Sequence, residues 1–518
     1  MIPQHAIDEA HIRQRSGVGQ DAVAWGSPAA RWILVATVLA SGMAFLDATV
    51  VNVALPTIGA ELDASVAGLQ WILSGYTLTL ASLILIGGAL GDRFGRRRVF
   101  LVGTVWFAAA SLLCGLAPTL SMLVAARALQ GVGGAFLTPG SLAIIQASFA
   151  SRDRARAVGA WSGLAGVAAA IGPFIGGWLI GAGSWRLIFL INLPLAAVVA
   201  MASRHVPETR NPSSVGGIDV AGAGLITAGL AGVTWALIEG GERGASGAAL
   251  AVGAAGLAAL AGFVAVERRA SHPMLPLDIF RSRQFTAANL VTFAVYAGMG
   301  MTFFLLVVNF QQLLGYSPMQ AGVATLPITA LMLALSARAG MLADRIGPRL
   351  PMTIGSAVMA AGLVLLSRVQ AGTTYLGTVL PALVVFGLGL TLTVAPLTAT
   401  VLAAAATRFA GVASGVNNAV SRGAGLIAIA VIPGFAGLTG EAYRDPVAFA
   451  AGFRTAMLVS ATLAAIGAGL AFLLIRNELP GRADSCPAGK LDRRHYCAVD
   501  GAPLATKRDA VEATRSAA

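Results

Sequence analysis

Long apolar runs separated by short polar segments dominate the pattern of the chain. A helix needs about 20 mostly apolar residues to cross the hydrocarbon core of a bilayer, and fourteen stretches have about this length. We predict membrane-spanning helices at 32–55, 71–91, 98–117, 121–145, 157–181, 186–203, 219–239, 246–266, 287–310, 320–337, 350–367, 377–400, 411–436 and 452–475. The pattern therefore predicts an all-α integral membrane protein with fourteen transmembrane helices.

The distribution of positive charge predicts the orientation of these helices. If the N-terminus lies in the cytoplasm, the two tails and the even-numbered gaps hold 28 of the 35 Lys and Arg residues. Arg127 and Arg422 fall inside predicted spans, and the odd-numbered gaps hold the remaining five. Basic residues concentrate in cytoplasmic loops, so we expect a multi-pass protein of the plasma membrane with both termini cytoplasmic. The net charge of +12 then follows from topology and requires no nucleic-acid partner.

Composition and the missing motifs exclude other classes of function. Charged residues make up 11% of the chain, against about 25% in soluble domains. The three cysteines, Cys114, Cys486 and Cys497, are too few and too scattered for a disulfide framework. Cys486, His495 and Cys497 could be metal ligands, but a polar tail is the favoured interpretation. No P-loop pattern is present, and no Ser/His/Asp constellation appears. The sequence predicts neither an enzyme nor a metal or cofactor site.

One charged loop occurs twice in the chain. "GALGDRFGRRR" at 88–98 returns as "GMLADRIGPR" at 340–349, at a constant offset of 252 residues. The matched residues are Gly88, Asp92, Arg93, Gly95 and Arg97 in the first copy, and Gly340, Asp344, Arg345, Gly347 and Arg349 in the second. Glycine allows sharp turns and an aspartate pairs with arginine, so these residues and Arg96 predict two gating loops. A plain positive-inside anchor is the alternative.

A repeated loop indicates two related halves. We predict a cytoplasmic tail at 1–30, a six-helix bundle at 31–206, a linker with two extra transmembrane helices at 207–283, a second six-helix bundle at 284–476 and a cytoplasmic tail at 477–518. We expect the two extra helices to pack peripherally.

Two charged side chains lie deep inside predicted spans of the first bundle. Asp47 is the only charged residue of the first span, and an ionisable group at that depth costs about 2.5–3.5 kcal/mol. Burial favours the neutral form of a carboxyl group, so Asp47 is the candidate proton carrier. A hydrogen bond to Thr49 or Asn52 is the alternative. Arg127 does not titrate usefully, and we expect it either to tune a neighbouring acid or to satisfy backbone carbonyls.

Glycines and a proline mark the fifth span. "GPFIGG" contains Gly172, Pro173, Gly176 and Gly177. Proline removes a backbone donor and the glycines leave a smooth surface for helix contact, which predicts a kinked span that seals one side of a cavity. Ordinary glycine-rich membrane packing is the alternative.

Polar and aromatic residues inside the spans are candidates for a substrate cavity. They are Asn52, Trp71, Tyr76, Gln130, Tyr296, Asn309, Asn417, Asn418 and Arg422. Aromatic side chains adapt to varied apolar ligands, whereas polar groups are costly against lipid. Packing, or hydrogen bonds between the halves, is the alternative for each. A single deep acid favours neutral, weakly basic or anionic substrates over multiply charged cations.

Several of these motifs together resemble the major facilitator superfamily, and within it the fourteen-span drug:proton antiporters of the multidrug efflux type. The first charged loop is similar to the loop motif of that family, and "GPFIGG" to its antiporter motif. Further similar segments are "LDATVVNVALP" at 46–56, "RALQG" at 127–131 and "WRLIFLINLP" at 185–194. The resemblance extends over about residues 30–476.

The resemblance implies a rocker-switch antiporter that exchanges protons for hydrophobic or amphiphilic drugs. It also implies that Asp47 and Arg127 form the proton relay, and that the protein is a monomer in the lipid bilayer. A dedicated exporter of one secondary metabolite or antibiotic on the same scaffold is the main alternative. An uptake symporter or a non-transporting membrane sensor is less expected.

Overall fold

Helices account for nearly all of the described chain. The computed structural model describes residues 23–210, 219–270, 273–405, 410–443 and 445–477. Its α-helices are α1 Pro28–Glu61, α2 Val66–Phe94, α3 Arg96–Gly115, α4 Leu120–Ser148, α5 Ser151–Gly181, α6 Leu187–Leu190, α7 Asn192–Ser203, α8 Val220–Arg243, α9 Gly247–Arg269, α10 Arg283–Gln312, α11 Pro318–Ala324, α12 Leu326–Ile346, α13 Arg349–Leu366, α14 Leu380–Ala403, α15 Ala410–Phe435 and α16 Pro446–Leu474. Short 3-10 helices lie at Leu277–Arg281 and Gly440–Tyr443, and a π-helical turn lies at Tyr375–Val379. In these ranges the only β pairing is one bridge between Val23 and Phe149.

Thirteen segments of the described ranges are long and apolar enough to cross a membrane, which confirms the predicted fold class. The count of fourteen is not confirmed, because the predicted span 186–203 is a shorter apolar element, Leu187–Ser203, interrupted at Ile191 between α6 and α7. Pro194 has no N–H to donate to the carbonyl of Leu190, which accounts for the break. The predicted span 320–337 lies within Pro318–Ile346, formed by α11 and α12.

Local sequence sets many of the helix boundaries. Ser65 and Thr119 cap α2 and α4 by accepting backbone N–H groups at 3.3 Å, as expected of N-cap residues. Gly95 and Gly347 follow α2 and α12 with φ of 112° and 85°, backbone that glycine adopts without strain. The two repeated loops are therefore sharp glycine turns between consecutive helices.

The two bundles contain equivalent close helix crossings. A Cβ at Gly103 in α3 would lie 2.9 Å from the backbone nitrogen of Leu137 in α4. A Cβ at Gly355 in α13 would lie 2.8 Å from the carbonyl carbon of Leu392 in α14. Gly103 and Gly355 are separated by the same 252 residues as the two loops. The α3–α4 and α13–α14 pairs are thus related crossings that depend on small residues.

Contacts between the two bundles include five helix pairs, α1 with α10 and α11, α2 with α15, and α5 with α11 and α12. Gln311 Nε2 donates to the carbonyl of Val53 at 2.9 Å and Gln70 Nε2 to that of Ile429 at 2.5 Å. The described residues group as one compact unit, and the domain borders near 206 and 283 stay predictions. Residues 1–22 and 478–518, and with them most of both tails and the candidate ligands Cys486, His495 and Cys497, lie outside the described residues.

The two extra helices pack differently from each other. Helix α8 lies against α2 and α15, one helix from each bundle. Glu242 Oε2 accepts the backbone N–H of Ala67 at 3.2 Å, and a Cβ at Gly434 would lie 2.8 Å from Cα of Gly241. Helix α9 packs on α8 and buries few side chains. Helix α8 therefore contacts both bundles, a bridging position that the expectation of peripheral packing did not include.

Candidate functional site

Asp47 and Arg127 form a buried ion pair in the first bundle. Asp47 lies on α1 with no exposed surface, and Arg127 lies on α4 with 1% exposed. Arg127 Nη1 is 2.5 Å from Asp47 Oδ2. The sequence could not establish that the two side chains meet, and the structure places them in direct contact.

Gln130 joins both members of the pair. Its Nε2 donates to Asp47 Oδ1 at 2.8 Å, and its Oε1 accepts from Arg127 Nη1 at 2.5 Å. The same Nε2 donates to Ser111 Oγ at 2.8 Å, and Asn192 Nδ2 donates to Ser111 Oγ at 3.3 Å. Gln130, a predicted cavity residue, thus belongs to the charge network. Ser111 and Asn192 were not predicted because uncharged polar residues in a span commonly bond within their own helix.

Arg127 has further partners besides the carboxylate. Its Nε donates to the carbonyl of Ile72 at 3.1 Å, and its guanidinium carbon lies 4.3 Å from the ring centroid of Tyr76. Arg127 thus contacts both an acid and a backbone carbonyl, and its role stays a prediction. The guanidinium therefore has two acceptors besides Asp47, namely Gln130 and the carbonyl of Ile72.

The alternative partners of Asp47 are occupied within α1. Thr49 Oγ1 donates to the carbonyl of Leu46 at 3.0 Å, and Asn52 Nδ2 donates to that of Ala48 at 3.2 Å. Neither side chain satisfies Asp47, so the charge network replaces the predicted local hydrogen bond. Asn52 stays half-buried one turn beyond Asp47.

A second polar group lies between the bundles and consists of Tyr76, Tyr296 and Arg422, while Asn309 lies 13 residues farther along α10 than Tyr296. In the described ranges, the Tyr76 hydroxyl, Arg422 Nε and both amide atoms of Asn309 have no hydrogen-bond partner. Buried polar groups without partners are uncommon. This region therefore offers donors and acceptors to a ligand.

The other predicted cavity residues are placed elsewhere. Asn417 Nδ2 donates to Thr292 Oγ1 at 2.8 Å and so joins α15 to α10, while Asn418 bonds to the Ser414 carbonyl of its own helix at 3.0 Å. Trp71 and Trp235 line an apolar groove of about 560 Å³ between α2, α4 and α8. The predicted cavity residues are therefore divided among the charge network, the second polar group, the contact between α15 and α10, and the apolar groove.

The first repeated loop is held by an acid that sequence reasoning missed. Asp92 pairs with Arg96 at 2.8 Å, as predicted. Glu208, which follows α7, accepts the backbone N–H of Arg97 at 3.1 Å and lies 3.8 Å from Arg98 Nε. Arg97 Nη1 donates to the carbonyl of Val206 at 3.0 Å. A carboxylate thus caps the N-terminus of α3, where helix dipoles favour negative charge.

The second loop is held by a neutral counterpart. Asn477, after α16, accepts the backbone N–H of Arg349 through Oδ1 at 3.2 Å. A Cβ at Gly347 would lie 2.4 Å from Asn477 Cγ, just as a Cβ at Gly95 would lie 2.6 Å from Glu208 Oε1. Asp344 and Arg345 are exposed, and nothing lies within 4 Å of a Cβ at Gly340. The only sequence signal for either cap is a polar residue just after the last helix of its bundle.

The "GPFIGG" segment lies at tight crossings on both sides of α5. A Cβ at Gly172 would lie 2.0 Å from Thr49 Oγ1 on α1, and one at Gly176 would lie 3.2 Å from Val50 Cγ1. Toward α11, a Cβ at Gly177 would lie 2.4 Å from Met319 Cα. A Cβ at Gly322 on α11 would lie 2.2 Å from the Pro173 carbonyl oxygen. The segment therefore brings backbone atoms of α5 into contact with both α1 and α11.

Comparison with known protein families identifies the superfamily to which this chain belongs. The family model described as Major Facilitator Superfamily matches residues 37–429. The chain belongs to the major facilitator superfamily. Members of this superfamily are membrane transporters, so the chain is a multi-pass transporter rather than an enzyme.

Similar members of the superfamily include one protein of Mycobacterium and one of Streptomyces. "Multidrug resistance protein Stp" of Mycobacterium tuberculosis is 36% identical over 393 residues, covering 74% of this chain and 72% of the relative. "Tetracenomycin C resistance and export protein" of Streptomyces glaucescens is 34% identical over 405 residues, covering 77% and 74%. The crystal structure of a D-xylose-proton symporter matches with a TM-score of 0.60 at 16% identity, covering 86% of this chain and 98% of that one. The structural match bears on the fold alone.

Proposed function

We propose that this facilitator is a proton-coupled antiporter of the plasma membrane that exports hydrophobic or amphiphilic small molecules by rocker-switch alternating access. The observation that carries the proposal is the fully buried network of Asp47, Arg127 and Gln130. It places one titratable carboxylate inside a bundle, where ionisable residues in membrane proteins mark ion and proton pathways.

The network allows Asp47 to change charge without leaving a bare cation. Removing one partner of a buried ion pair costs about 3–5 kcal/mol because it leaves an uncompensated charge. Arg127 keeps the Gln130 amide oxygen at 2.5 Å and the Ile72 carbonyl at 3.1 Å when Asp47 takes up a proton. Protonation therefore weakens the link between α1 and α4 while the arginine stays solvated by protein. Such a link is suited to a proton-dependent change of conformation.

Export is the direction supported by the relatives. The names of Stp and of the Streptomyces glaucescens protein describe multidrug resistance and antibiotic export. We place both termini in the cytoplasm because of the excess of basic residues in the even-numbered gaps. Protons entering the cell would then drive substrate outward.

The loops and α5 would supply the moving parts. We assign the two repeated loops to gating, since ion pairs and caps at helix ends are interactions that one conformation makes and another releases. We assign the "GPFIGG" crossing of α5 with α1 and α11 to sealing one side of the cavity, since its glycines bring backbones into contact. Both assignments follow the resemblance of these segments to the corresponding family motifs.

A dedicated exporter of one secondary metabolite is the second candidate. The Streptomyces glaucescens relative is named for a single compound, tetracenomycin C, whereas Stp is named for many drugs. The scaffold and the proton coupling are the same in both cases. The two candidates differ in the breadth of compounds exported.

Dye retention in cells lacking their own efflux pumps tests the proposal. Cells with the wild type should retain less of at least one dye among neutral Nile red, anionic carboxyfluorescein and cationic ethidium, and a protonophore should abolish the difference. Asp47→Asn, at equal membrane levels, should retain dye like the empty vector, because its amide cannot carry the proton. Export that persists in the protonophore would contradict proton coupling. Retention unchanged for every dye would contradict broad export and favour the single-metabolite candidate.

A further inference from the structure

Arg422 on α15 faces α2 of the opposite bundle. A Cβ at Gly415 would lie 2.5 Å from Leu85 Cδ2, and the carbonyl of Ile429 accepts from Gln70 Nε2 at 2.5 Å. Gly415 and Ile429 each lie seven residues from Arg422, and residues seven apart share one face of a helix. Helices α15 and α2 run antiparallel, because Gly415 contacts Leu85 while Ile429 contacts Gln70. Arg422, halfway between Gly415 and Ile429, is therefore level with the middle of residues 70–85, where Tyr76 lies.

The same arginine is level with Tyr296 on α10. Asn417 Nδ2 donates to Thr292 Oγ1 at 2.8 Å, and a Cβ at Gly300 would lie 2.8 Å from Cα of Gly425. Arg422 lies between Asn417 and Gly425, just as Tyr296 lies between Thr292 and Gly300. The phenol groups of Tyr76 and Tyr296 lie close enough to Arg422 to interact with it electrostatically. The guanidinium therefore lies between one tyrosine of each bundle.

The charge of Arg422 has no counterion among the described residues. The one acid deep in the spans, Asp47, is paired with Arg127, and no carboxylate of the described ranges forms an ion pair with Arg422. Arg422 Nε and the Tyr76 hydroxyl have no hydrogen-bond partner in those ranges. Arg422 is half-buried with its Nε enclosed, and an unpaired cation within a membrane span is costly, so the site is suited to a negatively charged ligand.

We propose that Arg422, Tyr76 and Tyr296 form a binding site for the carboxylate or similar oxyanion of an aromatic amphiphile, which is the substrate if the proposed transport function holds. A guanidinium donates two parallel N–H bonds to a carboxylate, and a tyrosine hydroxyl supplies a further donor. The half-buried ring of Tyr296 offers an apolar surface next to the charge. Since the site draws residues from both bundles, its ligand contacts the two parts that move against each other.

Binding to the purified protein in nanodiscs of uncharged lipid tests the site. The probes are anthracene-9-carboxylate and anthracene-9-methanol, which share one fluorescent ring system and differ in charge. The wild type should bind the carboxylate about tenfold or more tightly than the alcohol, the difference expected of charged over neutral hydrogen bonds. Arg422→Gln should bind both probes alike, and Arg422→Lys should keep part of the preference. Arg454→Gln, which removes an exposed arginine of α16, should leave both affinities unchanged.

Several outcomes would overturn the proposal. Equal binding of the two probes by the wild type is one, and a preference that survives Arg422→Gln is another. If both Arg422 variants fail to purify as monodisperse protein, Tyr76→Phe replaces them, and it should lower carboxylate affinity severalfold without changing that of the alcohol. An unchanged carboxylate affinity in Tyr76→Phe contradicts the site. Equilibrium binding needs no proton gradient, so failure of this site and failure of proton-coupled export are separate results.

Discussion

At the scale of single residues, the buried ion pair is stabilised only because its remaining donors and acceptors are satisfied. Taking two charges out of water is costly, and attraction between them compensates only with additional hydrogen bonds. Gln130 supplies these on both sides, at 2.8 Å to Asp47 and 2.5 Å to Arg127. The glutamine is therefore as important to the network as either charge.

Gln130→Leu tests this dependence. Leucine fills a similar volume but leaves Asp47 Oδ1 and Ser111 without the donor that the amide supplies, which should lower the free energy of unfolding by about 1–3 kcal/mol. Dye export should fall along with it, because Arg127 loses the acceptor that replaces Asp47. Chemical denaturation in detergent and the retention assay measure the two effects. A stable, fully active Gln130→Leu would show that the ion pair needs no third member.

A charged residue within an apolar run is a strong sequence signal of a functional site, whereas an uncharged polar residue is a weak one. Asp47 and Arg127 could be predicted because a charged residue inside a span needs a reason. The contribution of Ser111 could not be predicted, since Thr49 and Ser82 have the same chemistry and simply bond to carbonyls of their own helices. Which polar residue faces a partner depends on the rotation of its helix, and the sequence does not determine that rotation by itself.

At the scale of helices, α5 of the first bundle contacts α11 of the second through backbone atoms. A Cβ at Gly177 would meet Met319 Cα at 2.4 Å and the Pro318 carbonyl at 2.6 Å, whereas nothing lies within 4 Å of a Cβ at Gly163 of the same helix. The "GPFIGG" motif thus differs from the other glycines of α5 in what it touches. This contrast provides a matched pair of substitutions.

Gly177→Ala should separate α5 from α11 and impair transport at least severalfold, since backbone atoms cannot move aside as a flexible side chain can. Gly163→Ala adds the same methyl group in open space and should leave transport and thermal stability unchanged. The retention assay and melting in detergent compare the two variants. Equal behaviour of both would mean that the crossing has no special role.

The two loop caps differ in charge and make a second test at this scale. Glu208→Gln should be tolerated, because an amide oxygen still accepts from Arg97 N–H, as Asn477 does for Arg349 in the second loop. Glu208→Ala should cost about 1 kcal/mol, the usual loss of a helix cap. Unfolding measurements on both variants decide the point. A Glu208→Gln as unstable as Glu208→Ala would assign the effect to the charge instead.

Helix existence is well predicted by apolar length, and helix continuity is not. Most predicted spans coincide with long helices, but 186–203 breaks at Ile191 because of Pro194. The bridging position of α8 was also not predictable, since an Ala- and Gly-rich span has the same composition whether it lies at an interface or faces lipid. Its partners, Ala67 and Gly434, are identified only in three dimensions.

At the scale of the whole molecule, charge movement decides how much driving force is available. Each elementary charge moved across 100 mV contributes about 2.3 kcal/mol. A proton moving inward in exchange for a neutral compound moves one charge. Exchange for a monoanion, the class of ligand proposed for Arg422, moves the equivalent of two.

Currents across solid-supported membranes with reconstituted protein test this arithmetic. Per substrate molecule moved, anthracene-9-carboxylate should transfer about twice the charge of anthracene-9-methanol at one proton per turnover. Arg454→Gln lies outside the proposed site and should transfer the same charge per substrate molecule as the wild type. An equal charge for the two probes would mean that proton number changes with the substrate or that the carboxylate crosses in its neutral form.

The central claim is that Asp47 carries the transported proton, and proton flux in liposomes measures it directly. Wild-type protein is reconstituted with a trapped pH-sensitive dye, and a gradient of a dye substrate identified by the retention assay is imposed across the membrane. We predict that substrate leaving one side drives protons in the opposite direction, and that Asp47→Asn abolishes this flux while still exchanging labelled for unlabelled substrate. Substrate-driven proton flux that is undiminished in Asp47→Asn would contradict the account.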